Sequence, residues 1–198
     1  VRTSGVARVH GDEDASIGIS ENSVVNSYRE LRKHFKFLTG TYNKSLIVEE
    51  YIVGRELNCA VLGDKPLPIS EIDFTGLPEG LPKIVTYDGK WIEGSTYYNH
   101  TKPVCPAKID SEIKYKVEDL AVRAYNVLGC RDYARVDVRL SEDGVPYVIE
   151  INPNPDVSSD SGFARAAAAS GKNYSELLFT ITSFALQRKY DDSKNKAV

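Results

Sequence analysis

The sequence predicts an α+β protein on three observations. Residues 134–140 and 147–152 alternate apolar and polar side chains about the turn Ser141-Glu142-Asp143-Gly144, the pattern of a hairpin. Apolar runs at 45–52 and 57–62 have strand length. A strong helical pattern follows Asp110, and others precede Gly40 and follow Gly162. The 198 residues suffice for one core, or one core with a smaller appendage, and 41% hydrophobic with 27% charged residues is ordinary for a globular chain. A net charge of −3 supplies no basic stripe for a nucleic-acid backbone, so no nucleic-acid partner is expected. No apolar run approaches the ~18 residues of a membrane span and no signal peptide opens the chain, so no membrane partner and a cytoplasmic location are expected.

The chain contains no methionine and opens on Val1-Arg2-Thr3-Ser4-Gly5-Val6-Ala7-Arg8, with neither clear strand alternation nor a helix cap. Such a start is expected of a piece of a longer protein, or of residues added at its beginning, and the origin of residues 1–12 stays open. Glu13-Asp14-Ala15-Ser16-Ile17-Gly18-Ile19-Ser20 then forms a small-residue loop before a helical pattern of Val24, Val25, Tyr28, Leu31, Phe35 and Leu38. Ser20 or Asn22 is the expected cap and Gly40 the expected stop. Backbone N–H groups of such a loop can cradle phosphate, and an ordinary turn fits the same residues. Neither a Walker sequence nor a full dinucleotide fingerprint is present.

Residues 45–52 read as a strand with an acidic end at Glu49-Glu50, Gly54-Arg55-Glu56 as its break, and 57–62 as a second strand turning at Gly63-Asp64. Carboxylates after an apolar run accept hydrogen bonds from an adenine amino group or ribose hydroxyls, or stand as solvated strand-end charge. Pro66, Pro68, Pro78, Pro82, Pro103 and Pro106 punctuate residues 64–109, which read as strands and a long loop. Within it, Lys90 beside Trp91 suits a loop closing over phosphates; a surface turn anchored by a buried Trp is the other reading. Asp110 or Ser111 caps a core helix with Ile113, Val117, Leu120, Ala121, Ala124, Val127 and Leu128 on one face and Gly129 after it. Two more helical patterns span about 162–169 and 175–188, and residues 191–198 form a polar tail. Cys59, Cys105 and Cys130 lack a CxxC pair and read as reduced thiols in or near the core, and His10, His34 and His100 lack zinc-ligand spacing.

The hairpin carries the chemistry. Arg135, Asp137 and Arg139 fall on one face of the first strand and Ala134, Val136, Val138 and Leu140 on the other. On the second strand Glu150 and Asn152 separate from Tyr147, Ile149 and Ile151. If register joins the polar sides, two carboxylates, an amide oxygen and guanidinium groups converge, a set that suits Mg2+ with water and phosphate completing its shell. A solvated face with an ordinary ion pair is the alternative.

In order, Asp-Ala-Ser-Ile-Gly-Ile at 14–19, Val-Glu-Glu-Tyr-Ile-Val-Gly-Arg-Glu at 48–56, Tyr-Asp-Gly-Lys-Trp at 87–91, Cys-Pro-Ala at 105–107, Arg-Val-Asp-Val-Arg at 135–139 and Glu-Ile-Asn-Pro-Asn-Pro at 150–155 resemble the D-alanine–D-alanine ligase-like branch of the ATP-grasp superfamily. The resemblance spans about residues 13–188. It implies a partial central ATP-grasp subdomain over 1–53 and a C-terminal catalytic domain, mostly antiparallel sheet with flanking helices, over 54–190, with ATP held between them. It also implies roles: Glu49, Glu50 and the Ile52 backbone at adenine; Glu56 at ribose; Ser16, Gly18 and Lys90 at phosphate. Asp137, Glu150 and Asn152 match the Mg2+ ligands, with Mn2+ as an alternative ion. Arg135, with Lys90, matches the groups that stabilise the reacting charge, while Ser161 lies near the acceptor's carboxylate and Trp91 near substrate. The implied reaction joins a small-molecule carboxylate to an amine through an acyl phosphate, releasing ADP and phosphate; the family also implies a homodimer.

The chain departs from the family pattern at several positions. Val9, with Arg8 beside it, stands where the family has a phosphate-binding Lys; Ala15 replaces a Ser, Trp91 a Tyr, and Asp156 a Gly of the oxyanion hole. These changes leave the donor acid and acceptor amine open. A nucleotide-binding fragment without catalysis of its own, and a Mg2+-dependent kinase on the same scaffold, are the competing readings.

Overall fold

The computed structural model describes residues 4–9 and 16–195, with side chains through Tyr190. His10 and the opening Glu13-Asp14-Ala15 of the small-residue loop lie outside the described residues, as do residues 1–3 and 196–198. The chain forms two compact units, Val1–Val53 with Asp73–Lys102, and Gly54–Ile72 with Pro103–Val198. This differs from an uninterrupted domain over 54–190. The Asp73–Lys102 stretch goes with the first unit, where the Tyr87 N–H donates to the Ile19 carbonyl at 2.9 Å and the Tyr51 hydroxyl to the Lys83 carbonyl at 3.5 Å.

In the first unit, strands β1 (Gly5–Val9), β2 (Val24–Val25) and β3 (Leu46–Glu50) make an antiparallel sheet in the order β2-β1-β3, with helix α1 (Tyr28–Tyr42) between β2 and β3 in sequence. The helix starts later and ends later than the sequence pattern suggests. Val24 and Val25 are β-branched and pair with Val6 and Gly5 instead. Ser20 caps the short 3-10 turn Glu21–Ser23. The Ser27 hydroxyl caps α1 by accepting the Glu30 N–H at 3.2 Å, while the Glu30 carboxylate accepts the Asn26 N–H at 2.7 Å. Gly40 lies inside the helix, which stops at Asn43 in the left-handed region, φ 49°. The buried contacts of α1 come from His34 and Leu38, whereas Tyr28 and Phe35 are exposed. Two short helices, α2 (Tyr87–Trp91) and α3 (Thr96–His100), occupy the region read as strands and loop, capped by Thr86 and Ser95.

The second unit is built on a sheet in the order β7-β6-β4-β8-β9, with β5 paired to β4. Its strands are β4 (Gly54–Leu62), β5 (Lys65–Pro66), β6 (Ser70–Asp73), β7 (Lys102–Val104), β8 (Tyr133–Ser141) and β9 (Pro146–Asn152). Gly54 opens β4 rather than breaking a strand. Its φ is 145°, and a Cβ there would overlap the Leu140 carbonyl, so the close approach of β4 to β8 requires glycine. Helix α4 (Ser111–Val127), capped by Asp110, lays Val117, Ala121 and Tyr125 on one sheet face against Leu57, Cys59, Val61, Val136 and Val138. Fully burying each of the larger of these side chains contributes roughly 1.5–3 kcal/mol. The apolar stripe is narrower than its periodicity suggests, since Val127 is 84% exposed beyond the packed turns.

Helices α5 (Gly162–Ala169) and α6 (Tyr174–Asn195) pack on one end of the opposite face, where Phe163 and Leu177 meet Ala60, Leu62 and Tyr133. The backbone of α6 continues through Asn195, into the stretch read as a tail. Cys59 is buried, and Cys105 and Cys130 are partly buried; all three are free thiols.

Candidate functional site

The polar face of the hairpin is assembled by register. Asp137 on β8 stands opposite Glu150 on β9, and Arg135 opposite Asn152. Directly opposed residues share a face, so these four side chains converge. The pairing shifts between Asp137 and Val138: Val138 opposes Val148 and Arg139 opposes Tyr147, leaving Ile149 as the extra residue of a bulge. Tyr147 therefore joins the face of Arg139, not that of Ile151, a correction to simple alternation. On the other flank of β8, Asn58 opposes Asp137 and Glu56 opposes Arg139.

Asp137 is 7% exposed and its carboxylate is held on three sides. Arg135 donates from Nε to Oδ1 and from Nη2 to Oδ2, both at 2.7 Å, and the Asn58 amide donates to Oδ1 at 2.7 Å. Burial alone would lower the Arg135 pKa, but hydrogen bonding and charge from Asp137, with the charges of Glu150 and Glu56, raise it overall. Arg139 donates to Glu56 at 3.2 Å and to the Gly54 carbonyl at 3.3 Å, and the two charged side chains are 7% and 13% exposed. Glu56, expected at ribose, is thus part of a buried ion pair.

The Asn152 side-chain oxygen accepts the Asn154 N–H at 3.0 Å, and the Tyr133 hydroxyl donates to Asn154 at 2.5 Å. Ser161 caps α5 by accepting the Ala164 N–H at 3.1 Å, which leaves its own hydroxyl hydrogen available. Asp156 is held below the usual carboxylate range by hydrogen bonds from the Ser158 N–H and hydroxyl, opposed by slight burial and aided by the Arg135 charge.

The first unit carries the other candidates. Ser16 and Gly18 adopt left-handed φ of 70° and 74° within one turn, and a Cβ on Gly18 would come 2.7 Å from Val9. The turn is backed by Ser23, whose hydroxyl donates to the Gly18 carbonyl at 3.3 Å and lies 3.2 Å from His34 Nε2. Lys90 and Trp91 ride on α2, whose first N–H bonds to Ile19, so turn and helix are tied together. Trp91 is 59% exposed, which removes the buried-anchor reading. Glu49 and Glu50 end β3, and Ile52 lies between β3 and β4. Arg8, the neighbour of Val9, donates to Glu49 at 2.9 Å.

Among the described residues no three His, Cys, Asp or Glu form a metal-holding group. The donor set at the hairpin is instead two carboxylates and an amide oxygen, all hard oxygens of the kind Mg2+ accepts with water and phosphate completing its shell. A carboxylate offers about four lone-pair positions, and three N–H contacts leave Asp137 one, on Oδ2. The residues fit the ion. Sequence reading missed Asn58 and the Arg139–Glu56 pair. An amide inside the apolar run 57–62 was the available signal for Asn58.

Residues 11–183 match the family model described as D-ala D-ala ligase C-terminus. A Methylacidiphilum infernorum protein named D-alanine–D-alanine ligase is 36% identical over 179 residues, covering 89% of this chain and 53% of that one. An uncharacterized Sinorhizobium fredii protein is 33% identical over 178 residues, covering 90% and 51%. The fold resembles a Bacillus anthracis D-alanine–D-alanine ligase solved with ATP, at TM-score 0.72 and 24% identity over 96% of this chain and 54% of that one. The chain spans about half the length of the curated relatives it matches. With the family model covering most of the sequence and the fold shared, the chain belongs to the D-ala D-ala ligase C-terminus family, as an ATP-grasp, D-alanine–D-alanine ligase-like C-terminal portion.

Proposed function

We propose that this chain is the nucleotide- and metal-binding core of an ATP-dependent carboxylate–amine ligase. The observation that carries the reading is the β8–β9 register, which opposes Asp137 to Glu150 and Arg135 to Asn152. Asp137, Glu150 and Asn152 are the residues to hold Mg2+, or Mn2+ in its stead. When bound, the ion neutralises charge on phosphate oxygens. Arg135, held in place by Asp137, stabilises the anionic charge of an acyl phosphate and of the tetrahedral species formed when an amine attacks it. Glu49, Glu50 and the Ile52 backbone serve adenine and Glu56 ribose; Ser16, Gly18 and Lys90 serve phosphate; Trp91 and Ser161 meet substrate. A homodimer in the cytoplasm belongs to the same reading.

ADP release, measured with panels of small carboxylic and amino acids for this chain and for the chain extended upstream, tests the reaction class. Release that requires both a carboxylate and an amine is the expected result. Release that ignores the amine would make the protein a kinase. Mg2+-dependent nucleotide binding without turnover in either form would make it a binding module.

A further inference from the structure

Asn58 is the one amide in the apolar run Leu57-Asn58-Cys59-Ala60-Val61-Leu62, and it faces Asp137 across two strands. The donor assignment is chemically forced, because both Asp137 side-chain oxygens are acceptors and only the Asn58 NH2 can answer them. Arg135 grips the same carboxylate from two residues away on the same strand. A carboxylate turns easily about its terminal torsion, and an Arg side chain rooted in the same strand is long enough to follow it. Asn58 comes from the neighbouring strand with a short side chain, so its bond ties the Arg135–Asp137 pair to the sheet. It also fills the second acceptor position of Oδ1, leaving the open lone pair on Oδ2.

We propose that Asn58 is a positioning residue for cation binding: by anchoring Oδ1 of Asp137 it presents Oδ2 to a divalent cation and holds Arg135 at a constant angle beside it. The proposal rests on the metal role given to Asp137 above. Groups that orient metal ligands through hydrogen bonds typically change affinity about 10- to 100-fold when removed.

The test is calorimetric titration with a non-hydrolysable ATP analogue, with and without Mg2+, on the 198-residue chain and its Asn58→Leu and Asn58→Gln variants. Asn58→Leu keeps the branched shape of the side chain and removes the donor. It should reduce the Mg2+-dependent gain in affinity by about 10-fold, well beyond any change without Mg2+. Asn58→Gln retains an amide donor and should recover part of the gain. An unchanged gain in Asn58→Leu would overturn the assignment, as would an equal loss with and without Mg2+, which marks a purely structural role. If Asn58→Leu does not fold, Asn58→Ala carries the same comparison. Absence of any Mg2+-dependent binding in the unsubstituted chain would overturn the metal site itself, and Asn58's role with it.

Discussion

At Asp137, three N–H contacts and 7% exposure describe a carboxylate held by its partners in a nearly dry position, with one lone-pair position of Oδ2 still open. The same logic governs Arg139 and Glu56, whose buried pair loses a compensated charge when either member is removed. Glu56→Ala should therefore lower unfolding free energy by about 3 kcal/mol, measured by denaturant titration. A loss below about 0.5 kcal/mol, the usual range of surface substitutions, would contradict the buried-pair description. His34 makes a pH prediction. Its pKa lies below the ordinary 6.5 because burial disfavours the charged ring, a bond with the Ala7 backbone opposing that shift. The unfolded chain then binds more protons than the folded one just below pH 6.5. Stability should be full above that pH and fall on acidification through it towards the lower folded-state value. Unfolding midpoints from pH 8 to 5 for the native chain and His34→Gln check this, the variant having the flatter profile.

At the scale of elements, alternation alone makes the hairpin's polar set legible in the sequence, because a strand sorts side chains by twos whatever surrounds it. The bulge at Ile149 is not legible there, since one extra residue leaves the composition of both faces plausible while shifting Tyr147 from one to the other. Asn58 meets Asp137 across 79 residues of sequence, a separation that no local pattern spans. The start of α1 is equally hidden, because Val24 and Val25 fit a helix stripe as well as a strand, and pairing with β1 decides between them. Ser27→Ala should accordingly cost about 1 kcal/mol, the usual worth of an N-cap. Gly54→Ala should cost at least about 2 kcal/mol, because strained backbone and a forced shift of Leu140 add. Denaturant midpoints for both variants provide the measurement.

At the scale of the molecule, the break near Val53 coincides with a change visible in sequence, an acidic strand end followed by Gly54-Arg55-Glu56. The return of Asp73–Lys102 to the first unit has no such signal, because it depends on contacts such as Tyr87 with Ile19. No helix among the described residues is long and apolar enough to cross a membrane. In the proposed function, the opposed polar residues of β8 and β9 form a metal-dependent nucleotide site. Calorimetric titration with an ATP analogue and Mg2+, run in parallel on the native chain and a Glu150→Gln, Asn152→Ala double variant, decides whether that site exists. Mg2+-dependent binding that the double variant loses is the predicted result; binding equal in both proteins would contradict the site.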